Sequence, residues 1–379
     1  MHTTIQQDQI LDGIRSWIEI ESPSKDRAAI GRMADRIETD YRAIGARVDR
    51  IPGRDGLGDH LLVTDDRHCP PDVRDGPGIM VLSHMDTVHP VGTLAEDLPF
   101  RIEGNAAFGP GAEDMKGGTY LALAALREID HQSASTRRPV RHLIVSDEEI
   151  GSPTSREHIE REARRAVAVL VTEPARSGGK IVTARKGIGI YTIRAHGRSA
   201  HAGVEHELGA NAIIEVARQA VQLQEMTDYE KGLTVSVGVV SGGDRTNVVP
   251  DLAEIHLEAR FPDAASGDAF DAAIRALQPI NPDVRLEVLG GINRPGYHKS
   301  PEIAALYEYA KGLAEEIGFD LIDLATGGGS DGNFTASIAP TLDGLGVDGD
   351  GGHTLKERLY IDSIVPRTKL LMRLMQTLG

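Results

Sequence analysis

The chain has 379 residues, more than one hydrophobic core usually holds, since cores divide beyond roughly 250 to 300 residues. It carries 41 Lys and Arg against 57 Asp and Glu, a formal net charge of −16. This charge repels phosphate backbones and leaves no basic run for a membrane surface, so we expect neither nucleic-acid nor membrane partners.

A single cysteine, Cys69, excludes an intramolecular disulfide and a cage of thiolate metal ligands. The N-terminal stretch "MHTTIQQDQILDGIRSWIEIESPS" lacks the basic and apolar regions of an export signal, and its apolar positions recur at helical spacing. No apolar stretch approaches the roughly 20 residues that span a bilayer. We therefore expect a cytoplasmic protein.

Helical patterns alternate with short apolar runs in the first part of the chain. The runs "GIMVLSH", "VRHLIVSD" and "AVAVLVTEP" are rich in β-forming residues and end on polar ones, which is typical of strands buried on both faces of an α/β sheet. In open α/β sheets, ligands bind at the carboxyl ends of the strands. The ends of these runs are therefore the expected place for a site.

The pattern changes after Gly187. Segments with alternating apolar positions, such as "LTVSVGVVSGG" and "LAEIHLEARFP", combine with two helical patterns in the order β-α-β-β-α-β. This order predicts an inserted α+β, ferredoxin-like domain with one solvated sheet face. Helical patterns resume near Pro295. We predict an α/β domain at residues 1–186 and 296–379, interrupted by a smaller domain at 187–295.

His84 and Asp86 lie at the end of the first run, two positions apart, so their side chains can point the same way. A metal-binding histidine usually donates its other ring N–H to a carboxylate, and Asp86 suits that role. A lone His-x-Asp pair is more often a surface histidine beside a capping aspartate. His89 follows closely, and a core strand has no evident use for it.

Acidic residues recur at the next two turns. Asp114 lies in a glycine-rich turn before an apolar helix, where it could equally be a helix cap. Glu148 and Glu149 follow the second run, and adjacent carboxylates repel each other, so such a pair is often an exposed loop. A divalent cation changes this balance, because one carboxylate can bind it while the other remains a base.

Glu173 ends the third run, and His353 lies in a late glycine loop. Together with the preceding residues they provide two imidazole and three carboxylate ligands, with one Asp and one Glu left over. This set suits two divalent ions that share a carboxylate, since imidazole and carboxylate ligands favour zinc and its neighbours.

Six motifs in this order resemble the co-catalytic zinc aminoacylase and carboxypeptidase family, the M20 type: "SHMDTV", "GPGAEDMKGG", "DEEIGS", "TEP", "GRSAHAG" and "GGHT". The segments "GGGSD" and "NRP" are most similar to its glutamate carboxypeptidase branch. The resemblance implies a three-layer α/β zinc-peptidase catalytic domain that carries both metal ions. It also implies that the inserted domain is a lid that forms a homodimer.

The resemblance assigns a ligand to each metal position. His84 and Glu173 would bind one ion, Glu149 and His353 would bind the other, and the ligand shared by both would be Asp114. Zinc is the expected ion, although cobalt and manganese fit the same ligands. The peptide bond that follows Asp114 is often cis in this family.

Three residues receive catalytic roles from the resemblance. Asp86 would orient His84, and Glu148 would be the general base on a water that bridges the metals. His201 would stabilise the oxyanion in the active site of the partner subunit, so that dimerisation completes the site. The alternative for His201 is a strand-end histidine with local hydrogen bonds.

Candidate substrate-binding residues come mainly from the insert. Asn247 and Arg260 match substrate-contacting positions of the family. Arg260 could hold a C-terminal carboxylate in a bidentate fork, although an arginine on a strand is often on a solvated face. Arg294, Gly328 and Gly329 are further candidates for carboxylate recognition, since backbone N–H groups in a glycine loop can bind anions.

Arg185, Lys186 and Asn333 depart from the glutamate-specific pattern, which leaves specificity open. We predict a metal-dependent amidohydrolase that releases a C-terminal, glutamate-like amino acid from a peptide or N-acyl amino acid. Alternatives are an N-acyl amino acid deacylase or desuccinylase, and a hydrolase of an unusual aromatic or xenobiotic amide. An alternative of another class is a dimeric binding protein that has lost catalysis, although every expected ligand position is filled.

Overall fold

The structure is a computed structural model that describes residues 5–176 and 178–379. It divides into two compact units. The first runs to Thr183 and resumes at Lys299–Ala325 and Ser330–Gly379. The second comprises Ala184–His298 and Thr326–Gly329. The sequence pattern did not indicate that the last of these segments belongs with the second unit.

Helices and strands occur in both units. The α-helices within the described residues are α1 (Gln7–Ile18), α2 (Arg27–Ala43), α3 (Thr93–Glu96), α4 (Gly118–His131), α5 (Arg156–Ala163), α6 (Ala212–Gln224), α7 (Ala264–Arg275), α8 (Pro301–Ile317), α9 (Gly332–Thr335) and α10 (Ile364–Thr377). The strands are β1 (Arg47–Ile51), β2 (His60–Asp65), β3 (Gly78–His84), β4 (Arg101–Glu103), β5 (Ala106–Phe108), β6 (Val140–Val145), β7 (Ala166–Val171), β8 (Ile181–Arg185), β9 (Gly187–His196), β10 (Ala200–His201), β11 (Thr234–Gly242), β12 (Val248–Val249), β13 (Leu252–Phe261), β14 (Arg285–Arg294), β15 (Asp323–Thr326), β16 (Thr341–Leu342), β17 (Gly349–Asp350) and β18 (Arg358–Tyr360).

A six-stranded sheet forms the centre of the first unit, with the strand order β1-β2-β6-β3-β7-β16. β3 runs parallel to both β6 and β7, and β2 pairs with β6 in antiparallel fashion. β3 and β6 are buried along their whole length, as is most of β7. These strands coincide with the three apolar runs, because parallel strands covered on both faces need apolar side chains at every position.

The segment before α4 is brought close to the sheet by glycine. A Cβ atom on Gly118 would lie 1.9 Å from the carbonyl oxygen of Thr172, so this position excludes any side chain. The preceding helical segment, Ala112–Gly117, has non-helical backbone angles at Asp114. The peptide bond between Asp114 and Met115 is cis, which confirms the prediction from the resemblance.

The second unit contains a four-stranded antiparallel sheet with the order β11-β13-β9-β14. Its main elements follow one another as β9, α6, β11, β13, α7 and β14, in the predicted β-α-β-β-α-β order. Buried residues of these strands and both helices form one core, and β13 alternates buried and more exposed positions. The mixed α/β class with an α+β insert is therefore confirmed, whereas the insert's role as lid and dimerisation domain stays a prediction.

Within the part of the chain that the structure describes, none of the helices combines the length and the apolar character needed to cross a membrane.

Candidate metal centre

The predicted ligands meet at one edge of the first unit's sheet. His84 is the last residue of β3, whereas Glu148 and Glu173 follow shortly after the ends of β6 and β7. β3 is in parallel register with both neighbours, with His84 opposite Val145. Because parallel strands end at the same edge, the sheet brings together residues that lie far apart in the sequence.

Asp114 lies between the two predicted histidine ligands. Its Oδ1 atom is 3.1 Å from His84 Nε2, and its Oδ2 atom is 3.3 Å from His353 Nε2. Two ligand atoms bound to one zinc ion at 2.0 to 2.2 Å are about 3.3 to 3.6 Å apart at a tetrahedral angle, and slightly closer at a smaller angle. Both N···O distances are therefore compatible with a cation held between an imidazole and a carboxylate oxygen.

The remaining carboxylates surround these pairs. Glu173 Oε1 is 3.7 Å from His84 Nε2, and Glu149 Oε2 is 3.2 Å from His353 Nε2. The donor atoms of His84, Glu148 and Glu173 all lie within 4.8 Å of one another, and so do those of His84, Asp114 and Glu149. The structure thus brings together every residue that the sequence proposed around the two ions.

The electrostatics of this cluster fit divalent cations. Glu149 Oε1 is buried and has no hydrogen-bond partner among the described residues. Burial raises the pKa of Glu149 to about 8, and burial together with the charge of Asp114 raises the pKa of Glu173 well above its usual range. A cation would favour the ionised carboxylates and provide Glu149 Oε1 with a partner.

His84 and His353 compensate part of the negative charge of the carboxylate cluster. Burial acts to raise the pKa of Asp114, but hydrogen bonds from His353 and His84 lower it far below its usual range. In turn, hydrogen bonds to Asp114 and Glu149 raise the pKa of His353 to about 11. The Nε2 atoms of both imidazoles are therefore directed at carboxylate oxygens, as expected of side chains that would bind the same metal ions.

Asp86 lies where the sequence placed it, but its carboxylate makes different contacts. His84 Nδ1 is 2.9 Å from the backbone carbonyl oxygen of Asp86 and 3.5 Å from the carboxylate. The carboxylate instead accepts hydrogen bonds from the backbone N–H groups of Glu148 and Glu149 and from the hydroxyl group of Ser24. In a neutral imidazole, donation from Nδ1 leaves Nε2 with the lone pair that a metal requires.

Several residues that hold the site were missed by the sequence reasoning. Ser24 lies 62 positions before Asp86, and no local pattern marks it. Thr119 donates from its hydroxyl group to the carbonyl oxygen of His84 at 3.2 Å. Glu357 accepts hydrogen bonds from the backbone of the Asp114 segment; its place four residues after His353 was the one available signal.

In the second unit, the structure places His201 and Asn247 beside each other. β10 pairs with β12, which aligns His201 with Val248, and Ala202 donates its N–H to the carbonyl oxygen of Asn247. Both side chains are exposed. His201 Nδ1 accepts a hydrogen bond from the N–H of Gly203, so a neutral ring carries its proton on Nε2 and can donate it.

Two arginines contact the glycine run of the second unit, which comprises residues 327–329. Arg260 donates to the carbonyl oxygen of Gly327 at 3.1 Å, and Arg185 donates to that of Gly328 at 3.1 Å. Arg260 also donates from Nε to Glu258, so part of its guanidinium group is already engaged. Both arginines thus bind carbonyl groups of the glycine run. The sequence had instead suggested that its N–H groups bind a substrate carboxylate.

Arg294 lies against the same run. A Cβ atom on Gly329 would be 3.0 Å from Arg294 Cδ, so the missing side chain permits close packing. Arg294 is buried, and its Nη1 atom donates to Asn293 Oδ1 at 2.8 Å. The five predicted substrate-binding residues therefore form two groups, one near His201 and one around the glycine run.

A model of the family described as Peptidase family M20/M25/M40 matches residues 80–377. The chain belongs to this family. Carboxypeptidase G2 of Pseudomonas sp. (strain RS-16) is 30% identical over 99% of this chain and 91% of its own length. The succinyl-diaminopimelate desuccinylase of Sphingopyxis alaskensis (strain DSM 13593 / LMG 18877 / RB2256) is 28% identical over 89% of this chain and 90% of its own length.

A solved structure shows the same fold at lower identity. The M20 family metallo-carboxypeptidase from Sulfolobus solfataricus has a TM-score of 0.76 and 15% identity, and the match covers 97% of this chain and 99% of that one. The family model and the 30% identical relative confirm the M20 family assignment made from the motifs. As a member of the M20 family with carboxypeptidase and desuccinylase relatives, the protein is a metal-dependent hydrolase that acts on amide bonds.

Proposed function

We propose that this M20 hydrolase uses two divalent metal ions, with zinc as the expected ion. We further propose that it releases an acidic, glutamate-like C-terminal amino acid from a peptide or N-acyl amino acid. One observation carries the proposal: the two carboxylate oxygens of Asp114 face His84 and His353 at 3.1 and 3.3 Å. A carboxylate directed at two imidazoles is the arrangement that two ions with a shared ligand require.

The ligands divide between the two ions. His84 and Glu173 would hold one ion, Glu149 and His353 would hold the other, and both would share Asp114. The unpartnered Oε1 atom of Glu149 supports its assignment as a ligand. When bound, the ions polarise the substrate carbonyl group and lower the pKa of a water molecule.

Glu148 is the general base of the proposed reaction. It accepts the proton of the attacking water and returns it to the leaving nitrogen. Two observations support this role: a carboxylate oxygen of Glu148 lies within 4.8 Å of the donor atoms of His84 and Glu173, and Asp86 binds the backbone N–H of Glu148. The proposed role of Asp86 is therefore to hold both His84 and the turn that carries the base.

The preference for an acidic product is supported by the second unit. Arg185, Arg260 and Arg294 gather around one glycine run, and guanidinium groups are suited to carboxylates. We assign the product's carboxylates to this region, and we assign oxyanion and substrate contacts to His201 and Asn247. The 30% identity to a protein named carboxypeptidase supports release of the C-terminal residue.

An N-acyl amino acid desuccinylase is the second candidate. It is favoured by the 28% identity to a succinyl-diaminopimelate desuccinylase over 89% of the chain. In that reaction the succinyl group supplies the acidic moiety on the acyl side of the scissile bond. The two functions therefore differ in the side of the amide that carries the recognised carboxylate.

The test is hydrolysis of dipeptides and N-acyl amino acids that vary separately at the C-terminal residue and at the acyl group. We expect activity only with acidic C-terminal residues, loss on chelation and recovery with Zn²⁺. A preference for N-succinyl substrates whatever the C-terminal residue would favour the second candidate. Equal hydrolysis of acidic and neutral C-terminal residues would contradict the proposed specificity.

The base is tested by Glu148→Gln, which keeps the size of the side chain and removes its ability to take a proton. We expect kcat to fall by about 10²- to 10⁴-fold while the protein still binds two metal ions. Glu157→Gln is the control, because the Glu157 side chain is 75% exposed on α5. Activity of Glu148→Gln equal to that of the control would contradict the assignment.

A further inference from the structure

His89 lies five residues after His84, yet the proposed reaction gives it no role. It is only 6% exposed, and its Nε2 atom is 2.8 Å from Glu357 Oε2. Glu357 is 1% exposed. A buried carboxylate is costly unless it is paired and hydrogen-bonded, so this contact accounts for a histidine at a buried position.

The second oxygen of Glu357 contacts the segment that carries Asp114. Its Oε1 atom accepts hydrogen bonds from the backbone N–H groups of Glu113 and Asp114, both at 3.0 Å. Two consecutive N–H groups bound to one oxygen fix the orientation of the peptide unit between them. The direction of the Asp114 side chain from the backbone is thereby restricted.

The same assembly also holds the loop of His353. Glu113 Oε2 accepts a hydrogen bond from the N–H of Gly352 at 2.9 Å, one residue before His353. Glu357 donates its own N–H to the carbonyl oxygen of Thr354 at 3.2 Å, one residue after it. The backbone on either side of His353 is thus tied to Glu113 and Glu357, and both of these residues also contact the Asp114 segment.

We propose that His89 and Glu357 are positioning residues of the metal centre. His89 donates to Glu357, and the Glu357 carboxylate holds the Glu113–Asp114 backbone so that the Asp114 side chain faces both metal positions. Neither residue is a ligand in this scheme, since both oxygens of Glu357 are used by protein donors. The inference rests on the proposed function, because it requires two ions that share Asp114.

The loss of His89 has a specific consequence. Without the imidazole N–H, the buried Oε2 atom of Glu357 loses its hydrogen-bond partner, so the carboxylate is no longer held in its present position. The backbone of Asp114 then becomes more flexible. Part of the binding free energy of the ions is used to order it again. The affinity for metal should therefore fall, even in a folded protein.

The experiment measures the Zn²⁺ affinity of the full chain by competition with a chromophoric chelator. We expect His89→Ala and Glu357→Gln to weaken binding of at least one ion by about 10- to 100-fold, as is usual for residues that orient metal ligands. We expect His89→Gln to retain most of the affinity, because its side-chain amide still offers an N–H donor. The visible spectrum of the Co²⁺-loaded protein should shift in the two weakened variants.

A matched control separates this role from a general contribution to stability. His68→Ala removes another histidine–carboxylate contact of the first unit, in which His68 Nε2 is 3.2 Å from Asp130 Oδ1. We expect wild-type metal affinity and a wild-type Co²⁺ spectrum in this variant. Urea unfolding of the metal-free proteins identifies those that are folded. A purely structural role would lower unfolding midpoints and leave the affinity of the folded protein unchanged.

The outcomes distinguish the inference from the proposed function. If the wild-type protein binds no Zn²⁺, the proposed two-metal reaction is wrong. If the wild-type protein binds two ions and folded His89→Ala and Glu357→Gln bind them equally well, the positioning role is overturned. If His89→Ala does not fold, the Zn²⁺ affinity of Glu357→Gln relative to the wild-type protein tests the positioning role.

Discussion

Asp86 and Glu357 each fix a stretch of backbone at the candidate metal centre, and both do so with a buried carboxylate. Each carboxylate accepts hydrogen bonds from two consecutive N–H groups, those of Glu148 and Glu149 for Asp86 and those of 113–114 for Glu357. Hydrogen bonds to charged groups contribute about 1.5 to 3 kcal/mol each, more than those between neutral groups. At the residue scale, the turns that carry the proposed base and ligands are thus fixed by carboxylates that lie behind them.

A separate network of buried hydrogen bonds runs across the sheet next to His84. Tyr41 Oη lies 2.6 Å from His142 Nδ1, and His142 Nε2 lies 2.6 Å from Ser83 Oγ. Ser83 Oγ is in turn 2.6 Å from Thr172 Oγ1. Ser83 directly precedes His84 in the sequence, so the network joins α2 to the strand that carries a proposed ligand. Burial lowers the pKa of His142 to about 3.

This pKa makes stability dependent on pH in a defined direction. Between pH 6.5 and about 3 the unfolded chain binds a proton at residue 142 that the folded chain does not, so the free energy of unfolding falls as the pH decreases. At pH 5 the group accounts for a loss of about 2 kcal/mol. We expect His142→Asn to reduce the difference in unfolding free energy between pH 7 and pH 5 by about that amount.

Urea unfolding in the presence of chelator measures this difference without a contribution from metal binding. His256→Asn is the control, because the side chain of His256 is 48% exposed. We expect its pH dependence to match that of the wild-type protein. An unchanged pH dependence in His142→Asn would show that another group is responsible.

At the scale of elements, the site depends on the close approach of α4 to the end of β7. Gly118 begins α4 directly after the segment of Asp114, and Thr172 directly precedes Glu173. The 1.9 Å between the hypothetical Gly118 Cβ and the Thr172 carbonyl oxygen is far shorter than real carbon–oxygen contacts. The absence of a side chain at residue 118 therefore sets the spacing of two proposed ligands.

We expect Gly118→Ala to lower the free energy of unfolding by about 1 to 3 kcal/mol, because the helix must move away from the strand. The matched substitution is Gly31→Ala in α2, where an added Cβ meets nothing within 4 Å. There we expect a gain of roughly 0.4 to 1 kcal/mol, since alanine has less backbone freedom to lose. Urea unfolding of both variants checks this, and equal effects would contradict the packing argument.

At the scale of the whole molecule, the two units carry different parts of the proposed chemistry. The first contains the candidate metal ligands and Glu148, whereas the second contains His201, Asn247 and the arginines around the glycine run. The M20 resemblance predicts that His201 acts in the active site of the partner subunit of a homodimer. That arrangement stays a prediction, and it has a specific kinetic consequence.

We expect His201→Ala and Glu148→Gln to be nearly inactive alone and to complement each other in mixed dimers. If His201 acts in the partner's site, each mixed dimer contains one site with both residues intact, so an equal mixture recovers about a quarter of wild-type activity. Co-expression followed by rate measurement tests this, with sedimentation to establish the dimer. No recovery in a demonstrated mixed dimer would place His201 in the site of its own chain.

The sequence by itself was sufficient for the buried strands, the order of the insert and the family, whereas the cis peptide bond at Asp114 was expected from the M20 resemblance. The strands were predictable because continuous apolar runs report burial on both faces. The proposed ligands could be named because each lies at the end of such a run or in a glycine-rich turn within a recognisable motif. These are all features that a local stretch of residues carries.

Only the tertiary structure decided how the ligands are held. The carboxylate of Asp86 contacts the Glu148–Glu149 turn 62 positions away, and Glu357 contacts the N–H of Asp114 across 243 positions. The segment Thr326–Gly329 joins the second unit although the chain on both sides belongs to the first. Contacts of this kind leave no periodic trace in the sequence, because they depend on which turns the folded sheet places next to each other.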